Sequence, residues 1–190
     1  MNNKFIADEV FEKIDYTANP LGLADYDACR FVHCNFTGTD LSGMNFSECE
    51  FDNCNLSNVK LSGTGIKEVK FKGCKLAGLH FEDCSDFLFA ASFESCILNF
   101  STFHLRKMRN TVFADCTMQE MEFSETELTS AIFKNCDLLR TLFIDCNLEK
   151  ADLRTAYNYI IDPERNKLKK AKFSLQHVTG LLAKYEIEIN

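Results

Sequence analysis

Residues 28–56 read ACRFVHCNFTGTDLSGMNFSECEFDNCNL, and within them Phe31, Phe36, Leu41, Phe46, Phe51 and Leu56 recur at every fifth position. Two residues ahead of each stands Cys29, Cys34, Thr39, Met44, Cys49 or Cys54. The register runs on through Leu61, Ile66, Phe71, Leu76 and Phe81, slips by two residues, and resumes from Phe93 to Leu153. A period of five fits neither the 3.6 of a helix nor the 2 of a flat strand, so it is read as a repeat. With the large residue at position i, positions i and i−2 face inward and the other three face water. Such a strip cannot bury its apolar residues alone, and successive turns must stack as a solenoid.

Twenty residues apart, Cys34, Cys54 and Cys74 fall in line, as do Cys96, Cys116 and Cys136. Phe31, Phe51 and Phe71 do the same, and so do Phe103, Phe123 and Phe143. Four pentapeptides per turn therefore predict ladders of like on like at the ~4.8 Å inter-strand spacing.

Nine of the ten cysteines occupy position i−2; Cys84, beside the slip, is followed two residues later by Asp86. Cysteines at inward repeat positions are expected to act as compact apolar fillers. Their spacings repeat the register, so no zinc or disulfide pattern emerges. His33, His80, His104 and His177 share no spacing that would build a ligand set. No nucleophile–base set emerges either, and the expectation is a non-enzyme without metal or cofactor.

The chain has 190 residues, 46% of them apolar, and a net charge of −7. Acidity argues against direct binding of nucleic acid or of an anionic membrane. No segment approaches the ~20 apolar residues of a membrane span. Charges near the N-terminus occupy the place where a secretory signal needs its apolar stretch, and the expected location is cytoplasmic. Eighteen Phe with no Trp is explained by position i.

The pattern of a small residue, an outward residue, Leu or Phe and two outward residues resembles the pentapeptide-repeat proteins. That resemblance implies an all-β solenoid, a right-handed quadrilateral β-helix of about seven coils. The β-helix is expected over 1–155, with a weak lead-in over 1–23 and a phase break near 84–90. Residues 156–190 are expected to form a capping or dimerisation segment.

The break lies in EDCSDFLFAASF (82–93). Taking Leu88 as an i residue would bury the Asp86 carboxylate, which is strongly disfavoured without a partner. Residues 84–90 are therefore read as a corner loop, with Asp86, Phe87 and Phe89 as candidate contact residues. Arg106, at an i−2 position, predicts a second distortion, its stem lying along the wall with the charge outside. In the tail, Leu175, Val178, Leu181, Leu182 and Tyr185 follow helical spacing after Ser174, a good N-cap, which predicts a short C-terminal α-helix. Such a helix either caps the core or pairs with its copy in a homodimer.

The tail, with Y-N-Y-I-I-D-P and L-K-K-A-K-F-S-L, is similar to the C-terminus of proteins that protect DNA gyrase against quinolones, microcin or albicidin, and SFESCILNFSTF (92–103) is similar to their middle. That resemblance implies a homodimer binding DNA gyrase or topoisomerase IV, with an acidic rod imitating a DNA duplex. The acidic candidates are Glu48, Glu50, Asp52, Asp115, Glu120, Glu122, Glu125 and Glu127. The lysines at 60, 67, 70, 72 and 75 depart from a continuous acidic stripe. The alternative is a scaffold that binds an unrelated protein.

Overall fold

The computed structural model describes residues 4–189. The chain winds into a parallel β-solenoid of about seven coils, with each residue paired to the one 20 further on. Phe31 faces Phe51, and Phe51 faces Phe71. Across the slip the step becomes 22, with Phe71 facing Phe93, and it then returns to 20.

Each coil has four sides. The first carries strands Lys4–Ala7, Ala24–Asp27, Asn45–Ser47 and Gly65–Lys67. The second is a seven-stranded ladder from Val10–Glu12 to Ile132–Lys134. The third is a line of single bridges from Asp15 through Asn55, Ile97 and Asp137 to Tyr157. The fourth includes strands Thr102–His104, Glu122–Ser124 and Leu142–Ile144. Pairing continues past residue 155, through Asn147 with Lys167 and Asp152 with Lys172.

The corners explain why five residues suffice for a side. Position i+2 adopts positive φ and turns the chain, and its N–H bonds to the next coil, as His33 does to the Asp52 carbonyl at 2.9 Å. Left-handed backbone costs a non-glycine residue roughly 1–2 kcal/mol. The coil-to-coil bond and the burial of position i offset it. Gly73 is constrained twice, by φ +60° and because a Cβ there would come 2.5 Å from Asn53 Oδ1.

Two Phe columns fill the interior. Rings stack at 4.7 Å between Phe31 and Phe51 and at 5.0 Å between Phe93 and Phe113. The neighbouring column stacks Phe81 on Phe103 at 4.4 Å, and the two columns meet edge to face. Offset-stacked and edge-to-face geometries both suit the ring quadrupole.

The cysteines stand in the expected ladders, and all ten are buried. Cys34, Cys54 and Cys74 are linked by N–H to Sγ contacts of 3.3 and 3.4 Å. Ile97 N–H bonds to the Cys74 carbonyl at 2.9 Å, so the column continues unbroken through Cys96, Cys116 and Cys136. The filler reading was incomplete. Cys54 Sγ donates to the Phe31 carbonyl at 3.2 Å, and Thr64 and Ser101 hydroxyls make the same bond to Leu41 and Leu76. Position i−2 selects a small side chain that can also donate inward. Burial pushes the Cys49 thiol up to about 12 and Cys146 up to about 11, which keeps both neutral.

The C-terminal α-helix is not formed. Residues Val178–Leu181 and Ala183–Tyr185 are short 3-10 turns. Ile161 N–H takes the Gly180 carbonyl at 3.1 Å, and that carbonyl is thereby committed to the last coil instead of a helical ladder. Gly180 sits so close that a Cβ would lie 2.0 Å from the Tyr159 carbonyl oxygen. A segment of this length is also marginal as a helix without strong packing.

Candidate interaction surface

Three surfaces carry the candidate residues. The first is the phase break. The regular backbone bond from Ser85 N–H to the Thr64 carbonyl (2.9 Å) shows that the five-residue phase persists to residue 85. Asp86 therefore occupies the i slot, and Leu88, with φ 54°, is the corner. The two extra residues are Phe89 and Ala90, and Leu88 does not stand at an i position. The Asp86 side chain turns out to solvent, 94% exposed, which spares the carboxylate burial. Phe87 is 77% exposed. Phe89 packs partly against the core, with its ring edge-on to Phe81 at 6.4 Å.

Arg106 does not place its charge outside. It is 3% exposed, and its guanidinium turns toward the break. It donates to the carbonyls of Glu82 and Cys84, to Ser85 O at 3.3 Å and to Asp86 Oδ1 at 2.7 Å. The Phe89 ring lies 5.3 Å from its centre. Five donors in a planar fork suit this cluster of carbonyls, and a buried charge is tolerable because it is so fully bonded. Periodicity flagged Arg106 and the break separately; only their position on one side of consecutive coils joins them. Asp86, Leu88, Phe89, Leu105, Arg106 and Lys107 line a cleft of about 300 Å³.

The second surface is the charged shell. The acidic candidates do not form a stripe along the rod. Glu50 lies between Arg30, 3.5 Å away, and Lys70, and Asp52 pairs in register with Lys72. Glu120 faces Arg140 at 3.5 Å, and Asp115 accepts a bond from Asn135 at 3.0 Å. Glu48 and Glu125 stand exposed at positive-φ corners, while Glu122 is half-buried on the fourth side. For Glu127, burial raises its carboxyl, but bonds from Thr129 and Asn147 and the nearby Arg109 bring it below its ordinary value. Acid and base thus face each other across coils at Glu50, Asp52 and Glu120, whereas Glu48 is followed by Glu68 and Glu125 by Asp145 at the corners, and the lysines from 60 to 75 circle one coil. Exposed pairs of this kind contribute ~0–1 kcal/mol each.

The third surface is the tail. Lys184 bridges Asp162 (2.8 Å) and Glu164 (2.6 Å), and Tyr185 Oη donates to Glu164 at 2.9 Å. Leu181 packs on the core and Val178 is half-buried. Leu175 (94% exposed), Leu182 and Tyr185 face outward. The expected interface residues therefore divide into an inner pair that covers the last coil and an outer three that face solvent, with the Tyr185 hydroxyl held by Glu164.

Among the described residues, no three His, Cys, Asp or Glu side chains converge as a metal site. No helix among them is long and apolar enough to cross a membrane.

A trypsin-treated variant of QnrB1, a plasmid-mediated fluoroquinolone resistance protein, superposes with a TM-score of 0.72 at 15% identity, covering 100% of this chain and 92% of that one. A second trypsin-treated variant gives 0.63 at 14% identity, covering 98% of this chain and 100% of the other. At these identities the likeness is one of fold. No curated protein matches in sequence. The pentapeptide repeat region model matches residues 24–86, and the model of eight pentapeptide repeats matches 107–138 and 122–157. Together these matches cover more than half of a chain that stacks one pentapeptide per side, and the chain belongs to the pentapeptide-repeat family.

Proposed function

We propose that this protein is a non-enzymatic binding protein that engages DNA gyrase or topoisomerase IV and relieves a topoisomerase poison. The observation that carries the reading is the break: an otherwise regular rod interrupts one side to hold Phe87 in solvent. An exposed aromatic beside a cleft that mixes apolar with charged side chains, Arg among them, suits a protein contact. The choice of partner class rests on the tail resemblance to gyrase-protecting proteins, and a fold shared with a fluoroquinolone resistance protein supports it.

The charge arrangement favours a local contact over imitation of a duplex along the whole rod. B-DNA carries one negative charge per ~1.7 Å of axis, whereas here several acids, among them Glu50, Asp52 and Glu120, face bases on the neighbouring coil and break the run of negative charge. The outward residues of the tail, Leu175, Leu182 and Tyr185, would join two copies into a homodimer.

The test is gyrase supercoiling inhibited by a quinolone, a microcin-like or an albicidin-like poison, with and without the purified protein. Restored supercoiling for at least one poison is expected. No restoration for any, together with recovery of a reproducible non-topoisomerase partner from cell extract, would favour the scaffold reading.

A further inference from the structure

We propose that Arg106 and the two-residue insertion at Phe89–Ala90 form one structural unit, in which Arg106 is the positioning residue that fixes the contact loop. The part of this inference that concerns binding rests on the function proposed above; the part that concerns the fold does not.

In the regular coils, the N–H at i−1 bonds to the i−2 carbonyl of the coil before. Glu50 bonds to Cys29 O in this way at 3.0 Å, and Lys75 to Cys54 O at 2.9 Å. At the break the Cys84 carbonyl is instead taken by the Arg106 guanidinium, along with those of Glu82 and Ser85. Three backbone acceptors on one short segment are held by one side chain from the next coil. The corresponding positions elsewhere on this side hold Ala24, Met44, Thr64, Cys84, Thr126 and Cys146, none of them charged. A guanidinium fits there only because the insertion bends the preceding coil and presents its carbonyls. The insertion in turn is satisfied only because the guanidinium is there. With residues 82–86 tied down, Leu88 takes the corner and Phe87 is left facing solvent.

This interdependence makes a prediction with a change of sign. Deleting Phe89 and Ala90 together with Asp86→Leu restores an unbroken pentapeptide phase. In that regularised rod the guanidinium loses its carbonyls, and Arg106→Thr supplies the small inward donor the other coils use.

Four proteins test it by thermal unfolding: the natural chain, Arg106→Thr, the regularised rod, and the regularised rod with Arg106→Thr. Arg106→Thr should lower the midpoint by at least ~4 °C in the natural chain and raise it in the regularised rod. The same direction of change in both backgrounds overturns the proposal. Because Arg106→Thr could fail to fold, Arg106→Lys serves as the second variant. It keeps the charge, but an ammonium lacks the planar fork needed to span the carbonyls. It should speed hydrogen exchange at residues 84–90 and weaken gyrase binding at least ~10-fold while leaving the far coils protected. Unchanged exchange at 84–90 overturns the positioning role. If none of the proteins, including the natural chain, binds gyrase, the proposed function fails while the sign change still decides the structural unit.

Discussion

Arg106 and Asp86 form an ion pair of 2.7 Å in which one partner is almost fully buried and the other almost fully exposed. The guanidinium is held chiefly by backbone carbonyls, and the carboxylate closes the cluster from outside. An exposed carboxylate is screened by water, so the pair itself contributes little.

The two residues should therefore respond very differently to substitution. Asp86→Asn should cost less than ~1 kcal/mol. Arg106→Met, which strands several buried acceptors, should cost about 2–4 kcal/mol. Urea unfolding measures both, and equal losses would show that the ion pair, not the carbonyl cluster, carries the stability.

The Phe columns predict a larger loss with a different cause. Phe113 stacks on Phe93 and on Phe133 at 5.0 and 5.1 Å and is fully buried. Phe113→Ala should cost about 3–5 kcal/mol through lost burial and a cavity, and Phe113→Leu much less. Chemical denaturation distinguishes them; a cost below about 1 kcal/mol for Phe113→Ala would deny the close-packed column.

Alkaline pH should destabilise the protein through its thiols. Burial raises the folded-state value of Cys49 to about 12 from an ordinary 9.0. The folded chain then keeps a proton that the unfolded chain releases, so stability present below pH 9 falls as pH rises toward 12. The thermal midpoint should drop over that window, and less in Cys49→Ala. Consistent with this, a thiol reagent should react slowly with the native protein and with ten thiols after unfolding. An equal alkaline drop in Cys49→Ala would remove Cys49 as a cause.

Gly180→Ala should release the tail from the last coil, because the added methyl would lie 2.0 Å from the Tyr159 carbonyl oxygen. Limited proteolysis should then cleave within residues 174–189 before the coils are attacked. Unchanged resistance would show that the tail does not depend on this close approach.

Much of the fold was legible because one physical requirement repeats. Almost every side needs a large residue at i and most take a small one at i−2, so the Cys and Phe ladders follow from the spacing alone. Where the pattern stops, local sequence gave weaker signals. The 174–185 segment has helical spacing, but its backbone is drawn to the last coil through the Gly180 carbonyl, a tertiary bond that no periodicity reports. Arg106 looked like an isolated misfit because its partners are some 20 residues earlier in the chain and become neighbours only on stacking. The spacing puts the acidic residues on outward positions but does not report which of them face a base on the next coil, as Glu50, Asp52 and Glu120 do.

A hydrogen-exchange footprint of the full chain on purified gyrase tests the contact most directly. Saturable binding is expected, with protection concentrated at residues 84–90 and 105–107. Absence of binding, or binding with protection confined to the acidic coil at 115–127 and none at the break, would contradict it.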